Sequence, residues 1–297
     1  MNKLICPLCL VGLDAISHRG NYVIWQCKNC KLNLGSCESS DLKRSGVIKT
    51  SPEHFSMLHH QHIEHVSVMK NILAKRLDIF NVEFTNQYLG SSERNWLEIG
   101  PGNGSLADAL DPNDSWVGVE FDCAMSEAMI RRGLNVVNAD FSDVGDPLAY
   151  GSNEVKNRGG FDIVSLSQVF EHVSTPLLFL QNAYRALRPG GLLYLDVPNN
   201  HGITAVIRKM NIFSSGYGEV VPPHHLFAYS SNTIRYALKA VGFEVILCSA
   251  FSYRHHTFGL VYAHMNKSRL MRLVWGVTNI FGGGGNLVAA FLDGCSG

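Results

Sequence analysis

The sequence predicts an α/β fold: a doubly wound parallel sheet with a small metal-binding module at the N-terminus. Three observations predict it. From Asn95 onward, short apolar runs alternate with helix-patterned stretches, the pattern of a parallel sheet covered on both faces. The first of those runs passes directly into a glycine turn, Gly100-Pro101-Gly102-Asn103-Gly104. Four of the eight cysteines stand in two tight pairs near the start of the chain.

Those pairs, Cys6-Pro7-Leu8-Cys9 and Cys27-Lys28-Asn29-Cys30, have the spacing of a four-cysteine zinc site. Two residues between cysteines let both thiolates face one ion from a tight turn, and two such turns close a tetrahedron. Cys6, Cys9, Cys27 and Cys30 are therefore the expected ligands of a structural Zn2+. A module of about forty residues has little core of its own, so metal would supply much of its stability. The pattern resembles a zinc ribbon, assigned to residues 1–40. Cys123 and Cys248 read as small buried hydrophobes.

Residues 41–85 read as a linker followed by a leading helix. Ser51 and Pro52 mark its start, and Phe55, Leu58, Ile63, Val66, Met69, Leu73 and Leu77 follow at near-helical spacing. Its histidines, His59, His62 and His65 among them, read as a solvated or packing face rather than a metal site.

The remainder, 86–297, reads as one large domain. Strands are expected at Trp96–Ile99, Trp116–Glu120, Asn135–Asn138, Phe161–Leu166 and Leu192–Val197, with helices at Ser105–Leu110, Ala124–Arg132 and Leu177–Leu187. Residues 198–230 are rich in proline and glycine and read as a lid. A helix at Ser231–Ala240 and a strand at Phe243–Cys248 follow. Residues 252–285 are too long for a structureless loop and read as a helical insertion before a last strand at Asn286–Leu292. The charge-poor stretch from Leu270 is interrupted by Arg272 and by four glycines at 282–285, so no transmembrane segment is expected. The first residues lack a secretory pattern, and paired cysteines of metal spacing suit a reducing cell; a cytoplasmic location is expected.

Glycines let the backbone approach a ligand and adopt positive φ, and this turn follows the first strand, where doubly wound sheets bind ligands. Glu120 ends the next strand about twenty positions on, where one carboxylate can accept from both hydroxyls of a ribose. Asp140 follows the third strand and can accept from the exocyclic amine of adenine, with Phe141 beside the ring. The turn lacks the third glycine of a nicotinamide-dehydrogenase fingerprint, since position 105 is Ser.

As a set, these residues resemble class I S-adenosylmethionine (SAM) dependent methyltransferases, of the type 11, 12 and 23 kind. The glycine loop is similar to their first motif, and the stretch from Phe161 through Ser167, Gln168, Glu171 and His172 to Val173 to their fourth. Leu187-Arg188-Pro189-Gly190-Gly191 is similar to the segment before their fifth strand. The likeness covers about residues 85–250 and departs at the ribose acid, which is more often Asp. It implies a Rossmann-like seven-stranded sheet whose last strand is antiparallel, and SAM as cofactor. The implied cofactor contacts are Glu98, Gly100, Gly102, Gly104, Glu120, Phe121, Asp140, Phe141, Ser167 and Gln168.

A sulfonium donor carries its own activation, so the protein chiefly aligns the acceptor and excludes water. A hydroxyl acceptor also needs a base. Glu171-His172 follows the fourth strand, and His225 lies in the lid within His224-His225-Leu226-Phe227; these three are the candidate catalytic residues, with His225 favoured as base. Formal net charge is zero, from 25 basic and 25 acidic residues, which speaks against a partner held by phosphate charge. A small-molecule acceptor is expected: a sugar, nucleotide-sugar, quinone or lipid-linked precursor. The competing readings are an RNA or protein substrate gripped by the ribbon, and a non-catalytic binding protein that keeps the fold.

Overall fold

A computed structural model describes residues 4–19, 22–36, 93–201, 205–206, 209–210, 217–220, 225–251 and 285–292. The leading helix and its histidines, most of the 252–285 insertion, part of the lid, Cys37 and Cys295 lie outside the described residues.

Seven strands form the main sheet: β4 (Asn95–Ile99), β5 (Ser115–Glu120), β6 (Val136–Asn138), β7 (Phe161–Ser167), β8 (Leu187–Pro198), β10 (Phe243–Phe251) and β11 (Gly285–Leu292). Their order is β10-β11-β8-β7-β4-β5-β6. The five from β6 to β8 run parallel, and β11 pairs antiparallel with both β8 and β10. The doubly wound sheet with an antiparallel last strand is thus present. All five residues of β4 and six of the seven in β7 are buried, as in the interior strands of a parallel sheet.

Local chemistry sets the helix ends. α1 (Cys123–Arg131) starts where the Asp122 carboxylate accepts from the Met125 amide at 3.0 Å. α2 (Asn153–Asn157) is a short turn capped by Ser152, and sequence periodicity did not foretell it. α3 (Pro176–Ala186) opens on a proline at its first position. α4 (Ser231–Val241) is capped by the Ser230 hydroxyl and stops at Gly242, whose φ is +106°. The helix expected at Ser105–Leu110 is only a 3-10 turn at Ala107–Ala109. Asp111 precedes Pro112 and is steered out of helical space, so too few residues remain to nucleate a helix. Cys123 is exposed rather than buried, because the first position of α1 faces solvent.

At the amino edge of the sheet, Asp162 is 1% exposed. Its carboxylate accepts from Arg188 Nε at 2.6 Å, an Arg158 guanidinium nitrogen at 2.9 Å, and the Asn95 amide at 2.8 Å. One buried charge so ties the starts of β4, β7 and β8. Gly160 makes this junction possible: a Cβ there would meet the Arg188 backbone nitrogen at 2.5 Å.

The N-terminal module is a sheet of β1 (Leu13–Arg19), β2 (Tyr22–Cys27) and β3 (Asn33–Ser36), extended by β9 (Phe227–Ala228) from the lid. It does not stand apart. Cys6, Leu8, Leu13, Cys27, Leu32 and Leu34 belong to the same apolar cluster as Leu97, Phe170 and Leu238. Burial against the large domain supplies the core that so short a segment lacks.

Candidate functional site

Gly100, Gly102 and Gly104 all have positive φ, at 66°, 58° and 73°, and they do different work. A Cβ on Gly100 would stand 2.5 Å from Val169 Cγ2, so its absence lets the loop after β7 close on the turn. A Cβ on Gly104 would meet Leu134 at 2.4 Å; this glycine packs against the α1–β6 connection. Gly102 has nothing within 4 Å of that position among the described residues, leaving its backbone open to a ligand.

The turn forms one wall of a cleft of about 280 Å³ at the carboxyl ends of β4, β5, β6 and β7. The cleft brings together Gly100, Gly102, Glu120, Phe121, Asp140, Phe141, Gln168 and His172. Glu120, 9% exposed, accepts from the Gly102 amide at 3.2 Å and the Asp122 amide at 2.9 Å. Burial raises its pKa, partly offset by those two amides. Asp140 accepts from the Ser142 amide at 2.8 Å. Phe121 is 44% exposed. Phe141 is 2% exposed and packs edge-on to Phe179 at 5.2 Å, so of the two aromatics Phe121 has the freer face.

Gln168 has φ of 55° without being glycine. Its amide donates to the Asp196 carbonyl at 3.0 Å, and its buried Nε2 has no hydrogen-bond partner among the described residues. Strain of this kind concentrates where a ligand must be met.

Glu98, Gly104, Ser167, Glu171 and His225 are not in the cleft lining. Glu98 accepts from the Trp116 indole at 3.0 Å. Gly118 permits this, since a Cβ there would meet that ring at 2.6 Å. Asp122, Met125, Val169, Val173, Ser174 and Phe179 do line the cleft and were not foreseen. Asp122 could have been found as the cap of α1; the apolar ones look like core residues in sequence.

Behind His172 lies a cluster. The His225 ring stands edge-on to the His172 ring, centroids 4.9 Å apart. Glu171 Oε1 is 3.8 Å from His172 Nε2. Glu171 is 1% exposed, and neither carboxylate oxygen has a hydrogen-bond partner among the described residues. Burial pushes its pKa up to about 8, with Asp196 and Glu219 adding to the rise. One ligand atom from each of the three lies within 4.8 Å of the others, so the cluster can share a proton or a cation.

The four ribbon cysteines converge. Cys6 and Cys30 sulfurs are 3.5 Å apart, Cys9 and Cys27 3.3 Å, and Cys9 and Cys30 3.9 Å. Sulfurs around a tetrahedral metal with bonds of about 2.3 Å stand about 3.8 Å apart, so the donor set fits one soft or borderline dication. The hydrogen bond from Cys30 lowers the Cys6 thiol's pKa, and the same contact raises that of Cys30.

A family model described as "Methyltransferase domain" matches residues 54–247, leaving the cysteine pairs outside it. An uncharacterised 37.1 kDa protein of a Streptomyces fradiae transposon is 33% identical over 113 residues, 36% of this chain and 30% of its own. A ubiquinone biosynthesis O-methyltransferase of Shewanella pealeana is 24% identical over 146 residues, 40% of this chain and 61% of its own. A "Probable S-adenosylmethionine-dependent methyltransferase" of Mycolicibacterium smegmatis is 29% identical over 154 residues, 51% and 52% respectively. The chain thus spans less than two thirds of the length of each of these relatives.

Among solved structures, a plantazolicin methyltransferase in complex with a substrate analogue and SAH superposes with a TM-score of 0.56 at 12% identity, covering 86% of this chain and 96% of that one. A SAM-dependent methyltransferase from Archaeoglobus fulgidus gives 0.51 at 14%, covering 80% and 99%. Among the described residues no helix is long and apolar enough to cross a membrane. By the family model and the seven-stranded sheet together, the chain belongs to the methyltransferase domain family and has the class I fold of SAM-dependent methyltransferases.

Proposed function

We propose that the protein transfers the methyl group of SAM to a hydroxyl of a small acceptor. The observation that carries this reading is the cleft at the sheet's carboxyl edge, where Glu120, Asp140 and His172 face one space. Bound SAM supplies a sulfonium-activated methyl for in-line displacement. Glu120, fixed by two backbone amides, has lone pairs left to accept from a ribose diol. Asp140 is our choice for the adenine amine, and Phe121, whose face is freer, for the ring. Gln168 lines the same wall.

His172 lines the cleft and is our choice of general base for the acceptor hydroxyl. His225, favoured from sequence, stands behind it against the His172 ring, and with Glu171 serves to position it. The likeness to a ubiquinone biosynthesis O-methyltransferase supports a phenolic or other hydroxyl acceptor. Packing of the ribbon into the common core favours this over a free arm gripping RNA or protein. The four-thiolate set is assigned to structural zinc, and cysteine pairs of metal spacing suit a reducing cytoplasm.

The test is SAH production from SAM with catechol and sugar hydroxyl acceptors. Wild type should turn over at least one of them. His172→Ala should lose about 100-fold in kcat with SAH affinity unchanged. Equal turnover by the variant would remove His172 from the base role.

A further inference from the structure

The lid strand β9 is an outer strand of the ribbon sheet. Asn33 pairs with Ala228 and Leu34 with Phe227, and the Gly35 amide donates to the Leu226 carbonyl at 3.0 Å. This pairing begins one residue after His225. At its other end Tyr229 bridges to Asn199, and its carbonyl accepts from the Asn200 amide at 3.0 Å, at the carboxyl end of β8. The Tyr229 ring stacks on Phe170 at 4.8 Å, and its hydroxyl donates to the Phe170 carbonyl at 3.4 Å. Phe170 immediately precedes Glu171-His172. Segment 226–229 therefore connects the ribbon with both histidines of the proposed acceptor wall.

Further contacts run between ribbon and domain. Thr233 Oγ1 at the start of α4 donates to the Cys30 carbonyl at 2.9 Å. An Arg19 guanidinium nitrogen of β1 donates to the Lys209 carbonyl of the lid at 3.1 Å. Ile24 of β2 packs with Val220 and Ala228. The contacts named here lie on the lid, on α4 and on the loop after β7, and none is to Glu120 or Asp140.

We propose that the ribbon is an internal brace for the acceptor wall: its metal fixes β3, β3 fixes 226–229, and that segment sets the positions of His225 and His172. The proposal rests on the histidine cluster belonging to the acceptor side, as argued above. The β3 edge of the ribbon is paired within the chain, by β9 of the lid. Metal loading should then govern the acceptor step and leave the cofactor cleft intact.

Hydrogen exchange separates this from plain stabilisation. The full chain is compared with Zn2+ bound, after chelator treatment, and after Zn2+ is added back. On metal removal, amides 226–229 should lose protection by about 100-fold, while 96–99 and 117–119 keep theirs and SAH affinity stays within about twofold. Gly35→Pro, which lacks the donor to Leu226 but keeps all four cysteines, should bind one metal and show the same local loss. In both cases kcat should fall with the SAM KM unchanged. Retained protection at 226–229 in either experiment overturns the brace. Uniform loss across the main sheet, with SAH binding lost, also overturns it and leaves the ribbon as a general stabiliser. If metal-loaded wild type binds no SAH, the proposed activity fails instead, and the exchange comparison still reads the brace.

Discussion

At the scale of single residues, two side chains with buried polar atoms carry predictions of their own. Gln168 occupies left-handed backbone that glycine would adopt freely and lines the cleft. Gln168→Gly should raise stability by about 1 kcal/mol by relieving that conformation, yet weaken SAH binding about tenfold by removing a side chain that lines the cleft. Denaturant melts paired with calorimetry check both signs.

Glu171 makes a second prediction. Its pKa rises from 4.5 to about 8, chiefly through burial. Below pH 4.5 folded and unfolded chains are both protonated there, and its contribution is fully present. Between pH 4.5 and 8 the folded protein holds a proton that the unfolded chain has released, so stability falls as pH rises, with a slope approaching about 1.4 kcal/mol per pH unit. Above pH 8 both states are ionised and the loss is complete. Glu171→Gln should flatten this dependence in melts across pH 5–9 in metal-free buffer. An unchanged slope would mean that the carboxylate is ionised and paired in the folded state.

At the scale of elements, strand–helix alternation was legible because it rests on local apolar periodicity. The apolar run Phe161–Leu166 announces β7; Pro176, Ser230 and Gly242, which bound α3 and α4, are local signals that the sequence reading did not use. The short turn at 105–110 was not legible, because Asp111-Pro112 overrules an apolar pattern. Nor was β9, a two-residue strand whose partner lies some 190 positions away; nothing in Phe227-Ala228 declares which edge it will meet. The Asp162 junction belongs to this scale. Asp162→Ala should destabilise the fold by about 1–3 kcal/mol, since the buried Asn95 amide loses its acceptor and Arg188 and Arg158, both partly solvated, lose a shared counter-charge. It lies at the amino edge of the sheet, so SAH affinity should not change.

At the scale of the molecule, the glycine loop, Glu120 and Asp140 were readable because each ends a strand, and parallel strands deliver their ends to one edge. The four cysteines were readable from spacing alone. Less legible was what packing decides. Phe121, not Phe141, keeps a free face. Glu98 turns to Trp116. His172 rather than His225 reaches the cleft. The ribbon shares its core with the domain instead of forming an appendage. Each depends on contacts between residues far apart in sequence, which no local pattern encodes.

Everything proposed for the cleft requires the nucleoside sugar to be held by Glu120. Calorimetric titration of the metal-loaded full chain with SAH tests this most directly. Wild type should bind one equivalent, and Glu120→Ala should bind at least about thirtyfold more weakly, the loss of two hydrogen bonds to a charged acceptor. Equal affinity for both proteins would contradict the placement, and no heat from either would contradict the cofactor itself.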